Sequence, residues 1–423
     1  MATDYHRILA YLRETFGAQG STPADRLASR SNTPPPRIPG GSSLTAEAVA
    51  ERWELPGLPQ SARDVLADAH ALDGRDAYAR NIENFIGVAR LPIGLAGPLR
   101  VNGLHAQGDF YVPLATTEAA LVASYARGSL VVTESGGCSA LVLNESVSRS
   151  PGFAFDTLAE AGLFVAWAAG SIETFKAAAA ETTQHGRLVN LQLTVEGNHV
   201  YLELEFTTGD ASGQNMVTIA TDAICRYIEA HSPIPARYWF VEANMSGDKK
   251  ATTHSFMSVR GKKVSAEVTV PATIVERRLH TTVERMVDYW RMSALGGVMT
   301  GSIGVHGHYA NGIAALFIAC GQDAACVAEA TVGVTRFEPR PDGALYASVT
   351  LPNMIVGTVG GGTGLPTQKA CLEILGLAGP GRARAFAEVA AALALAGELS
   401  ITGALAAGHF TRAHQRLARG TTE

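Results

Sequence analysis

LVNLQLTVEGNHVYLELEF, Leu188 to Phe206, is the stretch that decides the fold. Leu191, Leu193 and Val195 alternate with polar residues, Gly197-Asn198 supplies a turn, and Val200, Leu202, Leu204 and Phe206 alternate on the way back. Successive side chains of a strand point to opposite faces, so this pattern reads as a β-hairpin with one buried face. Outward from it, the spacing predicts helix from Asp156 to about Ala180 and from about Asn215 to His231. The result is α-β-β-α, the middle of a ferredoxin-like unit. Further strands are expected near Val264 to Val270 and Leu345 to Leu351, with helices over Ala272 to Trp290 and Ala383 to Ala407. Toward the N-terminus, Met1 to Gly17 is periodic like an amphipathic helix. Ser29 to Ser43, with Pro34-Pro35-Pro36 and Gly40-Gly41, reads as a linker ahead of a helical segment around Thr45 to His70.

Composition narrows the function. The 423 residues suffice for two or three domains and a large core. A net charge of -5 and a pI near 6.2 leave no basic footprint, which argues against a nucleic-acid partner. Five scattered cysteines without a Cys-x-x-Cys argue against a disulfide framework or zinc, and fit a reducing cytoplasm. The apolar run Val389 to Ala407 is interrupted by Glu398, a carboxylate costly at mid-bilayer, so it reads as a buried helix and no membrane is expected.

Four polar residues in apolar or Gly-rich surroundings could carry chemistry: Glu118, Lys249, Asp323 and His414. They offer a carboxylic acid, a fixed cation, an anionic orienter and a proton shuttle, a set suited to reducing an acyl thioester. Each has a plain reading too. Lys249-Lys250 alone is a solvated turn; Glu118, in an apolar helix start over Leu114 to Ala123, is either a desolvated acid or a first-turn carboxylate favoured by the helix dipole. Asp323, between apolar flanks, is expected to be buried and in need of partners. His409 and His414 are five apart and share no helix face, and His306 and His308 lack companions, so no metal is read. Neither a Gly-x-Gly-x-x-Gly after a strand nor a Walker A sequence occurs. Gly209 to Met216 instead follows the hairpin and opens a helix whose amides could hold a pyrophosphate. Gly357 to Gly362 has four glycines in six residues, which permits close backbone approach.

From about Glu83 to about His414, these segments resemble the catalytic domain of 3-hydroxy-3-methylglutaryl-CoA (HMG-CoA) reductases of class I pattern. Gly209-Asp210-Ala211-Ser212-Gly213-Gln214-Asn215-Met216 is similar to that family's Gly-Asp-Ala-Met-Gly-x-Asn-Met signature, and Gly357 to Thr363 to its second dinucleotide element. The resemblance implies an α+β fold. Residues 83–150 and 241–423 would form a large, helix-centred substrate domain, 151–240 an inserted ferredoxin-like cofactor domain, and 1–82 a helical N-terminal segment with its linker at 29–43. It further implies reduction of an acyl-CoA to an alcohol with two NADPH or NADH per turnover and no metal.

Lys249 would hold the oxyanion, His414 would protonate the CoA thiolate, Glu118 would donate to the alcohol, and Asp323 would link Lys249 and Glu118. Arg149, Asp248, Lys250, Asn311 and Arg127 would bind substrate, Arg127 through CoA phosphates. Asp210, Gly213, Gln214, Asn215, Thr358, Gly360, Gly361 and Gly362 would bind the dinucleotide. Sites formed across subunits imply a homodimer or higher oligomer. Departures bear on the acyl group: Glu242 replaces a serine, Met292 a lysine, and one residue is missing between Gly304 and Asn311. Thr183-Gln184 replace a Ser-Arg pair that holds the 2′-phosphate of NADPH, with Arg187 nearby. Two alternatives follow: a homologue reducing a different thioester on CoA or a carrier protein, and a catalytically silent nucleotide- or CoA-binding protein.

Overall fold

The computed structural model describes residues 36–408 together with Arg7 and Ala10. Of the described residues, those up to Arg75 with Ile82–Val88 pack as one compact unit, and Asp76–Asn81 with those from Ala89 onward pack as a second. In the first unit, Pro56, Gly57 and Pro59 divide the expected helical segment into α1 (Ala46–Trp53), α2 (Gln60–Leu66) and α3 (Ala69–Asp73). Thr45 and Asp68 cap α1 and α3 by accepting the amides of Ala48 and Ala71 at 3.2 and 2.9 Å. Arg52 is fully buried and donates to the carbonyls of Pro39, Gly41, Ser43 and Phe85. One guanidinium thus orders the end of the Ser/Pro-rich stretch.

The second unit opens with strands β1 (Ile93–Gly103) and β2 (Gln107–Ala115), helix α4 (Leu121–Glu134) and strand β3 (Cys138–Arg149). Next come β4 (Gly152–Ala154), α5 (Leu158–Gly170), α6 (Ile172–Ala180), β5 (Arg187–Glu196), β6 (His199–Thr207), α7 (Gln214–His231) and β7 (Tyr238–Phe240). The chain continues through β8 (Gly261–Val270), α8 (Val283–Thr300), α9 (Tyr309–Ala319), β9 (Val334–Pro339), β10 (Leu345–Met354), α10 (Pro366–Ile374) and α11 (Ala383–Ala406).

The hairpin forms in the register its alternation dictates, with Leu191 opposite Leu204 and Leu193 opposite Leu202. Strand order β7-β4-β6-β5, with α5 and α6 before the hairpin and α7 after it, is the ferredoxin-like βαββαβ arrangement. Its sheet is continuous with the rest of the unit, because Val147, Ser148 and Arg149 of β3 pair with Phe206, Glu205 and Leu204. From β3 the sheet runs on through β8, β10 and β9. Among the described strands β1 to β10, every pair is antiparallel except β1 with β3.

Two expected helices differ. The Asp156 to Ala180 span breaks between Gly170 and Ile172. The Ala272 to Trp290 span breaks at His280, whose φ of 56° ends a short helical turn before Thr282 caps α8.

Helix α11 lies at the centre of this unit and is buried along almost its whole length. Long and apolar enough by composition to cross a membrane, it is enclosed by protein instead. Burying each of Phe386, Leu393, Leu395 and Leu399 contributes roughly 1.5–3 kcal/mol. Its small residues admit close neighbours: a Cβ on Gly128 of α4 would lie 1.8 Å from the Ala396 carbonyl oxygen. Its two carboxylates accept from loop amides, though Glu388 Oε1 is buried without a partner. Glu388 accepts from His105 and Ala106, and Glu398 from Gly307, His308 and the Thr335 hydroxyl.

Candidate active site

Helix α7 begins where the hairpin ends. Gly213 takes a left-handed φ of 77°, and a Cβ there would meet the Thr208 methyl at 2.3 Å, so only glycine fits. No side chain caps the helix, leaving its first amides open to a ligand. They line a cavity of about 480 Å³ with residues 321–323, Lys249 and the Gly-rich turn from Gly357 to Thr363. Gln322 braces that turn, its side-chain amide accepting from Gly357 N at 2.8 Å and donating to Gly357 O at 3.0 Å. Gln214, Asn215, Gly360, Gly361 and Gly362 all face this space.

Two residues of the expected dinucleotide set do not. The Asp210 carboxylate accepts from the amides of Gly381 at 2.7 Å and Ala383 at 3.1 Å, satisfying the first turn of α11. Thr358 is buried, and its hydroxyl donates to Gly379 O at 2.7 Å. Both hold the cleft's walls together, and neither lines it.

Lys249 Nζ is 3.0 Å from Asp323 Oδ2 in the same cavity. That hydrogen bond raises the lysine pKa above its ordinary value, with burial opposing it. For Asp323 burial pushes upward, but hydrogen bonds from Lys249 and the Ala325 amide outweigh it and hold the carboxyl below the usual range. Asp323 is exposed where the sequence reading expects burial, because it caps the short turn Ala324–Cys326 at the cavity edge. Gln214 reaches it at 3.5 Å.

Behind Lys249 lies a network of charges. Arg149 donates to Asp248 at 2.9 Å and lies 3.3 Å from Glu242. Arg260, completely buried, joins Asp248 at 2.5 Å to Glu329 at 3.2 Å. For Asp248 burial pushes the pKa up, yet Arg260 and Arg149 bring it below the ordinary value. Glu242 also accepts from Ser246 Oγ and the Asn244 amide, and Lys250 Nζ donates to Asp248 O. Sequence reading missed Arg260, Glu329 and Gln322; the only signal was a charge beside apolar residues at Arg260 and Glu329, and for Gln322 its place next to Asp323.

Glu118 lies elsewhere. It is exposed in the turn before α4, which begins only at Leu121 because the preceding apolar residues belong to β2. It accepts from Asn311 Nδ2 at 2.8 Å and lines a second cavity of about 340 Å³ with Ser124, Arg127, His308 and apolar Leu121, Ile401 and Leu405. Arg127 donates to the carbonyl and hydroxyl of Ser400. The expected Asp323 link between Lys249 and Glu118 is not formed within one chain: the carboxylates open onto different cavities. Met292 is 75% exposed on α8 and lines neither. His414 falls outside the described residues. Among the described residues no group of three or more His, Cys, Asp or Glu is placed to hold a metal.

The family model for hydroxymethylglutaryl-coenzyme A reductase matches residues 48–419. Among curated relatives, the 3-hydroxy-3-methylglutaryl-coenzyme A reductase of Aeropyrum pernix is 46% identical over 356 residues, covering 82% of this chain and 84% of that one. Those of Pyrococcus horikoshii and Haloferax volcanii are each 43% identical, covering 83% and 88% of this chain and 86% and 94% of theirs. Among solved structures, the class II 3-hydroxy-3-methylglutaryl-CoA reductase of Streptococcus pneumoniae, bound to NADPH, superposes with a TM-score of 0.64 at 19% identity. The match covers 82% of this chain and 95% of that one, a likeness of fold. With the cleft geometry and these matches together, the chain belongs to the hydroxymethylglutaryl-CoA reductase family.

Proposed function

We propose that this protein is an oxidoreductase that reduces HMG-CoA to mevalonate at the expense of two reduced nicotinamides. The observation that carries the reading is the Lys249–Asp323 pair, 3.0 Å apart, in the same cavity as the uncapped start of α7 and the Gly-rich turn. Those features fit a dinucleotide: open amides suit a pyrophosphate, and the glycines permit close approach. When bound, the reduced nicotinamide supplies the hydride for each reduction. The Lys249 ammonium, kept charged by Asp323, stabilises the oxygen that turns negative as the thioester carbon becomes tetrahedral. Collapse of that adduct releases CoA thiolate, which His414 protonates, and Lys249 then meets the second alkoxide, with Glu118 as proton source. The test is nicotinamide oxidation with HMG-CoA, with mevalonate formed at one per two nicotinamides; no oxidation with any thioester refutes it.

Glu118 and Lys249 line different cavities of one chain, so a site needing both calls for a second copy. We read the active form as a homodimer or higher oligomer. Mixing inactive Glu118→Gln and Lys249→Ala chains should restore activity if each subunit completes the other's site. Residues 151–240 then serve as the cofactor domain. The Thr183 hydroxyl accepts from the His185 and Gly186 amides and lies 3.0 Å from Met216 Sδ, and Gln184 carries no charge. That arrangement favours NADH, and a higher kcat/KM for NADH than for NADPH is expected. The five cysteines are buried free thiols, which suits a cytoplasmic setting.

A second reading rests on Arg149. Asp248 and Glu242 already place two carboxylates on this guanidinium, so an anionic acyl tail would have to compete for it. The same reductive chemistry would then favour an uncharged acyl thioester, on CoA or a carrier. A panel of short acyl-CoAs run beside HMG-CoA separates the two readings.

A further inference from the structure

We propose that Glu329 and Arg260 form the positioning pair that aims Lys249 at the reacting oxygen, and this rests on the reading of Lys249 given above. Lys249 adopts φ 57°, a left-handed conformation that a lysine rarely takes unless its surroundings enforce it. The enforcement is visible. The Lys249 amide donates to Glu329 Oε2 at 2.5 Å. Glu329 Oε1 accepts from Arg260 Nε at 3.2 Å, and Arg260 Nη2 holds Asp248, the residue before Lys249, at 2.5 Å.

Arg260 is itself anchored, donating through Nη1 to Ser148 O at 2.7 Å and through its amide to Asn353 Oδ1 at 2.9 Å. Glu329 and Arg260 are both fully buried, whereas the Lys249 side chain is 44% exposed at the cavity. A dry ion pair therefore holds the Lys249 amide through Glu329 and the neighbouring Asp248 carboxylate through Arg260, and the ammonium is left to reach out. Charge pairs of this kind contribute little net stability, since desolvation offsets their attraction; their use is to fix one geometry. Neither residue lines the cavity, so each acts through Lys249 alone.

The experiment uses the full-length enzyme. Glu329→Ala removes the acceptor and frees the backbone, so kcat should fall about 100-fold while the KM for reduced nicotinamide stays within about threefold. The alkaline limb of the pH–rate profile should move to lower pH, because a displaced ammonium loses Asp323, its principal pKa-raising partner, and moves relative to Cys326 and Asp248. Glu329→Gln keeps an oxygen for the Lys249 amide and should recover most of the loss. Should Glu329→Ala not fold, Glu329→Asp and Arg260→Lys replace it with the same expected pattern. An unmoved alkaline limb, or a kcat loss matched by equal loss of nicotinamide affinity, overturns the positioning role. Lys249→Ala is the control: an active control defeats the reading of Lys249 itself, and an inactive control beside fully active Glu329 variants defeats only the positioning pair.

Discussion

Replacing Lys249 with methionine keeps most of the side chain and removes its charge. In the folded resting enzyme the consequence should be small, because Lys249 and Asp323 are 44% and 39% exposed and solvent screens them. A pair of that exposure contributes at most about 1 kcal/mol, which would shift the melting temperature by roughly 2 °C. In the transition state the loss is much larger, because one donor to a developing oxyanion supplies about 3–4 kcal/mol, or 100- to 1,000-fold in kcat. Measuring nicotinamide oxidation at saturating thioester and thermal unfolding on the same preparation separates the two effects. A kcat within tenfold of wild type, or a melting temperature that drops in step with activity, would refute the reasoning.

Asp323→Asn removes the partner that raises the Lys249 pKa, so the alkaline limb of the rate profile should move to lower pH. The same pair sets a stability window: the lysine's contribution is full below its unfolded pKa and is lost as pH rises through the higher folded value, while the aspartate's is present above its unfolded pKa and lost as pH falls through the lower folded one. Gly213→Ala should cost about 1–2 kcal/mol in backbone strain alone and raise the nicotinamide KM more than the thioester KM, because its Cβ strikes Thr208 at the mouth of α7. Glu398→Ala strands the amides of Gly307 and His308 and the Thr335 hydroxyl inside the protein, and urea unfolding should show a loss of about 3 kcal/mol or more.

The hairpin, the flanking helices and α11 were legible in the sequence because each is written in local periodicity or in an uninterrupted apolar run. The dinucleotide cleft was legible for a related reason: Gly213 and the Gly357–Gly362 turn advertise backbone that must approach something closely. Glu118 was misplaced because the apolar residues before it suit a helix start as well as the end of a strand, and the choice was made by β2 pairing with β1. Asp210 and Thr358 carried the motif but not the orientation, since what satisfies their oxygens lies 21 to 173 residues away. Arg260 and Glu329 gave even less warning. Their partners are 12 to 112 positions distant, and no local pattern encodes a contact closed only by the sheet.

Asp210 joins the segment that opens α7 to the leading turn of α11. Anything that stiffens the first is therefore felt by the second, and the core of the unit begins at the rim of the cleft. Proton–deuterium exchange at Gly381 and Ala383 becomes a built-in gauge of coenzyme loading: slow when the cleft is filled, faster when it is empty, and deaf to the coenzyme once Asp210 is replaced by alanine.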